Sequence, residues 1–451
     1  MPRAFSAASL SMRGVGSRPS GGAGKGVVWM ATAGDGMDGL ADPPDEVRCL
    51  LALAGGGPDE ADMGAVAALG DCEAGWERVA RAAVYNRVAP LAYGHLRESG
   101  LSRSVPRNAL RVLESAYFRS LAGAVATRDP LAAVLRRFHE AGVPAIVLRG
   151  LALGERVYGD PALRPFFDTD LLVQTHAVPR AKRLLLDVGY HIEPHDVDPR
   201  YFEKHHLHLV FAGPTTVELH WALDHKYTPY AIDSAEVFVA ASPGELAGAP
   251  AWWLSEEDLL LTLCVHLVKH CYYARYLPSG TDCLRHVLAD GFLVWFADVD
   301  ALVRRSGDTL DWEAVLDRAR RWQISPVVSV ALGLAVRWLH TPVPDEVLDA
   351  VPCVMAGGLE RRLARRLLPS AGGDASLLSG EMRGDALFRP ARLLDLLGYV
   401  APPAAYVAWR YGAAGPLGLP LGYARHAVTA VAELGANGVD YLVYCRLRRR
   451  R

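Results

Sequence analysis

The run Phe167-Asp168-Thr169-Asp170-Leu171-Leu172-Val173 constrains the chain more than any other stretch. Side chains alternate faces along a strand, so Asp168 and Asp170 project from the same face. The three apolar residues that follow read as a strand covered on both sides. Burying carboxylates without compensation is expensive. Two of them at the mouth of such a strand therefore call for a neutralising partner. A divalent cation fits, because magnesium typically takes one or two carboxylates plus the phosphates of a substrate. An isolated Asp-x-Asp arises easily by chance, and taken alone it reads more readily as a solvated strand end. The surroundings carry the argument.

From about Pro44 to Asp129 the periodicity is helical, with Trp76, Val79, Ala80, Ala83 and Val84 on one stripe and Leu110, Leu113, Tyr117 and Leu121 on another. The character changes near residue 130. A helix from Pro130 to Glu140, closed by Gly142, precedes a short strand at Ala145-Ile146-Val147-Leu148. Gly150 turns the chain into a second helix, which Gly159-Asp160-Pro161 breaks before the aspartate strand. A helix with Pro179 in its first turn runs to Val188. Two strands, Leu207 to Phe211 and Thr215 to Trp221, then flank Ala212-Gly213-Pro214 as a hairpin. Ser255, with Asp258 three residues on, starts a second helical series. The expected fold is α+β, a small mixed-sheet core flanked by N-terminal and C-terminal helical domains. Five segments follow: a disordered tail over 1–43, a helical module over 44–129, an α/β core over 130–250, a helical domain over 251–345, and a helical extension with a basic tail over 346–451.

Composition narrows the class. The 451 residues are 51% apolar and 22% charged, with a formal net charge of −2, which gives no global case for binding nucleic acid or membrane. The seven cysteines are scattered, with no Cys-x-x-Cys, and read as reduced thiols of a cytoplasmic protein. The longest apolar stretches, Trp322 to Val336 and Leu396 to Trp409, contain proline and fall short of the roughly 18 residues a membrane span needs. Gly21 to Gly26 hints at a phosphate loop, but Pro19 stands at the first glycine position and Gly26 at the Ser/Thr position.

Two features join the aspartates. Gly150 lies where a strand meets a helix, which permits close backbone approach and offers N–H groups to phosphate. In the hairpin, Val217, Leu219 and Trp221 form one face and Thr216, Glu218 and His220 the other. Glu218 is thus a third carboxylate on a strand able to lie beside the first. Three carboxylates converging from two strands suit a two-metal centre for phosphoryl displacement.

The stretch from Val147-Leu148-Arg149-Gly150 through Tyr158-Gly159-Asp160-Pro161-Ala162-Leu163-Arg164-Pro165 to Asp168-Thr169-Asp170-Leu171-Leu172-Val173, with Val217-Glu218-Leu219-His220-Trp221, resembles a nucleotidyltransferase family of the DNA polymerase β-like superfamily. The likeness extends from about residue 45 to 340. It implies a transferase that moves a nucleoside monophosphate from an NTP to a hydroxyl or phosphate acceptor and releases pyrophosphate. Asp168, Asp170 and Glu218 would be the catalytic residues and the ligands of Mg²⁺ (or Mn²⁺). Arg149 and Gly150 would cradle the nucleotide. Arg149 stands where the family usually has lysine. A small molecule, a peptide or protein, or RNA would each serve as acceptor. The alternative is a non-catalytic relative that binds a nucleotide or a protein.

Other residues admit two readings. Arg164 either contacts the triphosphate or holds its loop through a salt bridge. His220 reads as a packed or supporting histidine, since magnesium prefers oxygen. His266 and His270, at i, i+4 on a helix, raise a zinc hydrolase, but helix packing or acceptor contact is the better reading without His-Glu-x-x-His. Asp298 reads as a buried acceptor orienting the helical domain. The arginines ending the chain at Arg451 form a solvated tail or touch an anionic surface.

Overall fold

The computed structural model describes residues 44–56, 60–192, 208–213, 215–223, 232–273, 291–351, 418–425 and 427–428. Expectations for the N-terminal tail and for the basic C-terminus fall outside the described residues. The fold is α+β: among the described residues, one mixed seven-stranded sheet has helices packed on both of its faces.

Helices α1 (Asp45–Ala54), α2 (Glu60–Leu69), α3 (Glu73–Tyr85) and α4 (Ala89–Glu98) open the chain. The α3 stripe buries Trp76, Val79, Ala80 and Ala83, whereas Val84 faces out. Helix α5 (Arg107–Glu140) then runs unbroken through Pro130, so the change of character at residue 130 falls inside one helix and no boundary interrupts it there. Proline inside a helix removes one hydrogen bond and costs about 3 kcal/mol. Leu131, Val134, Leu135 and Phe138 directly beyond it are each at most 1% exposed. At about 1.5–3 kcal/mol per buried side chain, their packing outweighs the break.

Strand β1 (Ala145–Val147), helix α6 (Leu151–Arg156) and strand β2 (Thr169–Val173) follow, then α7 (Val178–Asp187), β3 (His191–Ile192), β4 (His208–Ala212) and β5 (Thr216–His220). The β4–β5 hairpin is antiparallel, as the turn residues predict. Next come α8 (Ser234–Ala240) and a hairpin that the sequence reading did not anticipate, β6 (Ser242–Leu246) and β7 (Ala249–Trp253). Its turn residues Ala247 and Gly248 both have positive φ, 53° and 74°, the conformation that favours tight hairpins. β7 runs parallel to β1, so the sheet continues past residue 250. The strand order is β3-β4-β5-β2-β1-β7-β6. Helices α9 (Glu256–Tyr273), α10 (Leu293–Ser306), α11 (Trp312–Arg321), α12 (Ser325–Leu339) and α13 (Asp345–Ala350) complete the described core. At the start of α9 the Asp258 backbone N–H donates to the Ser255 hydroxyl at 3.2 Å, the N-cap its sequence announced.

Alternation along the strands divides the interior in two. Val147, Leu171, Val173, Val217 and Leu219 pack with the second half of α5 and with α7. Ile146, Leu148 and Leu172 face the other way, into a core formed jointly by the N-terminal helices and by α9, α10 and α12. The two helical series therefore share one core, and the face of β2 that carries its aspartates looks into it.

Candidate active site

Strands β2 and β5 are parallel neighbours, with Asp170 paired to Glu218 and Leu172 to His220. This register brings the aspartate strand and the third carboxylate onto one face. His220 Nε2 lies 2.9 Å from Asp170 Oδ1 and 3.4 Å from Glu218 Oε2. Ligand atoms of Asp170, Glu218 and His220 all fall within 4.8 Å of one another. Asp168 sits just before the strand and outside that set. Burial, then the charges of Asp170 and Glu218, push its carboxyl up to about 6. Burial acts to raise Asp170 as well, but the Arg149 charge and the His220 hydrogen bond hold it well below the usual carboxylate range. Burial would lower His220, yet its bonds to Asp170 and Glu218 raise it.

Gly150 has φ +64° and ψ −121°, and a Cβ there would lie 3.2 Å from the Asp168 carbonyl oxygen. Glycine supplies both the conformation and the clearance. Beside it, Arg149 donates from Nε to Asp170 Oδ2 at 3.0 Å and pairs through Nη2 at 2.9 Å. Its Nη1 lies 2.7 Å from His266 Nδ1. A guanidinium only donates, so that ring nitrogen accepts and the imidazole proton resides on Nε2. His266 thus serves Arg149, while the side chain of His270 lies outside the described residues.

The loop that delivers Asp168 is fastened at both ends. Tyr117 donates to Asp160 Oδ2 at 2.7 Å, and the other Asp160 oxygen accepts from the Ala162 backbone at 2.8 Å. Arg164 forks onto Asp298, with Nη2 at 2.7 Å and Nε at 3.1 and 3.3 Å, and donates from Nη1 to the Pro165 carbonyl at 3.0 Å. Tyr158 donates to Asp298 at 2.9 Å. Of its two readings, Arg164 takes the salt bridge here, although it also lines the cavity described next.

A cavity of about 430 Å³ opens between the carboxylate face and the helices. Asp168, Asp170, Glu218 and His220 line one side, and Arg87, Thr262, His266 and Trp295 the other. Trp295 stacks on Phe292 at 4.7 Å, meets His266 edge-on at 5.2 Å and lies under Arg87 at 5.0 Å. Sequence reasoning gave Arg87 and Trp295 no role at the site, although both lie in stretches that share the family likeness. The acidic, oxygen-rich side fits a hard divalent cation, with the His220 nitrogen better suited to orienting Asp170 than to binding magnesium.

The mixed sheet thus presents two strand-borne carboxylates, Asp170 and Glu218, to a partly open cavity. Residues 73–340 match the family described as uncharacterised nucleotidyltransferase, and the chain belongs to that family. No curated protein and no solved structure matches it. Among the described residues, no helix is long and apolar enough to cross a membrane.

Proposed function

We propose that the protein is a magnesium-dependent nucleotidyltransferase that transfers a nucleoside monophosphate from an NTP to a hydroxyl or phosphate acceptor. The observation that carries this reading is the β2–β5 register, which sets Asp170 beside Glu218 on a cavity wall. Asp168, Asp170 and Glu218 would hold Mg²⁺ or Mn²⁺, which when bound offsets phosphate charge and polarises the oxygens it contacts. Gly150 and Arg149 would bind the nucleotide phosphates. The acceptor oxygen forms a bond to the α-phosphorus while the bond from that phosphorus to pyrophosphate breaks. Glu218, whose side chain is 24% exposed, would take the proton of an acceptor hydroxyl. Arg164 would hold the Asp168 loop through Asp298.

The Arg149 fork on Asp170 favours a second reading, in which a cationic side chain replaces the metal and the fold binds a nucleotide without transfer. One experiment separates the two. Incubation with Mg²⁺, each α-labelled NTP and lysate is expected to move label onto an acceptor. Chelation, Asp168→Ala or Asp170→Ala should lower that transfer by about 10²–10³-fold, the scale of losing a principal electrostatic element of a catalytic site. Labelling that survives both substitutions removes the catalytic assignment. Nucleotide binding without transfer in any lysate fraction favours the second reading.

A further inference from the structure

Arg87 comes from the N-terminal helices, far in sequence from the aspartate strand, yet it lines the same cavity. It follows the α3 cap residue Asn86 and has φ +60°. The Val88 N–H bonds the Ala83 carbonyl at 2.9 Å and closes the helix end around it. Glycine ordinarily occupies this left-handed position, and an arginine there is strained. It is partly buried. Among the described residues its direct contacts are the Gly291 carbonyl at 3.4 Å and the Trp295 ring at 5.0 Å, while the carboxylates of Asp298 and Asp168 act on it only through space. The other two arginines of the cavity differ, for Arg149 faces Asp170 and Arg164 faces Asp298. Burial, then the neighbouring Arg164 charge, hold the Arg87 guanidinium below its ordinary range, and the Asp298 and Asp168 carboxylates oppose that shift only in part.

We infer that Arg87 is a substrate-binding residue, a clamp on the outer phosphates of the nucleotide reached from the helical side of the cavity. The identity of the anion as a nucleotide phosphate rests on the nucleotidyltransferase reading. A guanidinium presents a planar fork matched to phosphate oxygens, and Trp295 beneath it fixes the plane.

The test is calorimetric titration of Mg²⁺-pyrophosphate into the full-length wild type, Arg87→Gly and Arg87→Lys. Arg87→Gly relieves the backbone strain, so its Tm should match or exceed that of the wild type while pyrophosphate affinity falls at least tenfold. Arg87→Lys should fall in between, and nucleoside monophosphate should weaken less than threefold in both. Unchanged pyrophosphate affinity in Arg87→Gly, or no binding by the wild type, overturns the inference. So does equal weakening of monophosphate and pyrophosphate, which would assign the anion to the α-phosphate or to the acceptor. The label-transfer assay run beside it separates the two readings. No transfer with the pyrophosphate contrast intact removes the reaction and leaves the anion site. Transfer with an unchanged KM for NTP in Arg87→Gly removes the clamp alone.

Discussion

The molecule gathers carboxylates in two places and treats them differently. In the helical region each meets an arginine: Asp298 meets Arg164, Asp300 meets Arg304, and Asp258 meets Arg318, which Glu236 shares. On the sheet, Arg149 pairs with Asp170 alone, and Asp168, Asp170 and Glu218 are crowded so that two of them raise the third. Pairing with arginine offsets part of the cost of buried charge and fixes geometry, whereas crowding of like charge costs stability. A protein retains such crowding where chemistry requires a concentrated negative site. The comparison separates what holds the cavity together from what is proposed to act within it.

The largest stability effect should come from breaking the paired set. Asp298 is 1% exposed, and Asp298→Ala would leave Arg164 buried without its counter-charge. Loss of one partner of a buried pair costs about 3–5 kcal/mol, whereas apolar replacement of both is often close to neutral. Urea unfolding should therefore show Asp298→Ala strongly destabilised, and Asp298→Leu combined with Arg164→Met recovering most of the loss. A cost below about 1 kcal/mol for the single substitution, with nucleotidyl transfer abolished, would move Asp298 from the supporting set to the chemical one.

Much of the chemical set is legible in the sequence because strand alternation is a strict period of two. Asp168, Asp170 and Glu218 announce their faces through Leu171, Leu172, Val217 and Leu219, and the β4–β5 turn residues indicate their hairpin. The supporting set is less legible, because its pairs join residues far apart in sequence, 134 positions in the case of Arg164 and Asp298. No local period encodes such a contact. Pro130 misleads because tertiary packing overrides a local breaker. The β6–β7 hairpin is hidden by Pro243, Gly244 and Pro250, which lower strand propensity, and by a turn built on Ala247-Gly248 without asparagine or aspartate. Arg87 is hidden for a different reason, since it occupies a position where sequence rules expect glycine.

A smaller effect of opposite sign is expected on the sheet. Asp168→Asn removes one charge from the crowded set while keeping the size of the side chain. At pH 8 the wild-type carboxyl, raised to about 6, is ionised among its neighbours. The amide should stabilise the fold by about 0.5–2 kcal/mol, the usual gain when a strained functional residue is relaxed, while transfer is lost. Thermal unfolding and the labelling assay report the two halves. Asp168→Asn with a lowered Tm would show that its carboxylate belongs with the paired, supporting acids.

The finest test asks whether pairing fully offsets burial in the helical set. Asp300 accepts from Thr341 at 2.7 Å and from Arg304 Nε at 3.0 Å, and it is 1% exposed. Burial raises its carboxyl above the ordinary 3.8, and the Thr341 and Arg304 contacts only partly oppose that shift. A group with a raised folded pKa binds its proton more tightly in the native state than in the unfolded chain. Its contribution to stability therefore grows as pH falls through the folded value, and is complete below the unfolded one. The Tm difference between wild type and Asp300→Asn should shift in favour of the wild type between pH 7 and pH 4. Arg304 is 31% exposed, so the change should stay within about 1 kcal/mol. A shift in the other direction would mean that the arginine more than offsets burial, and that the supporting acids are held as strongly as Asp170 is by Arg149.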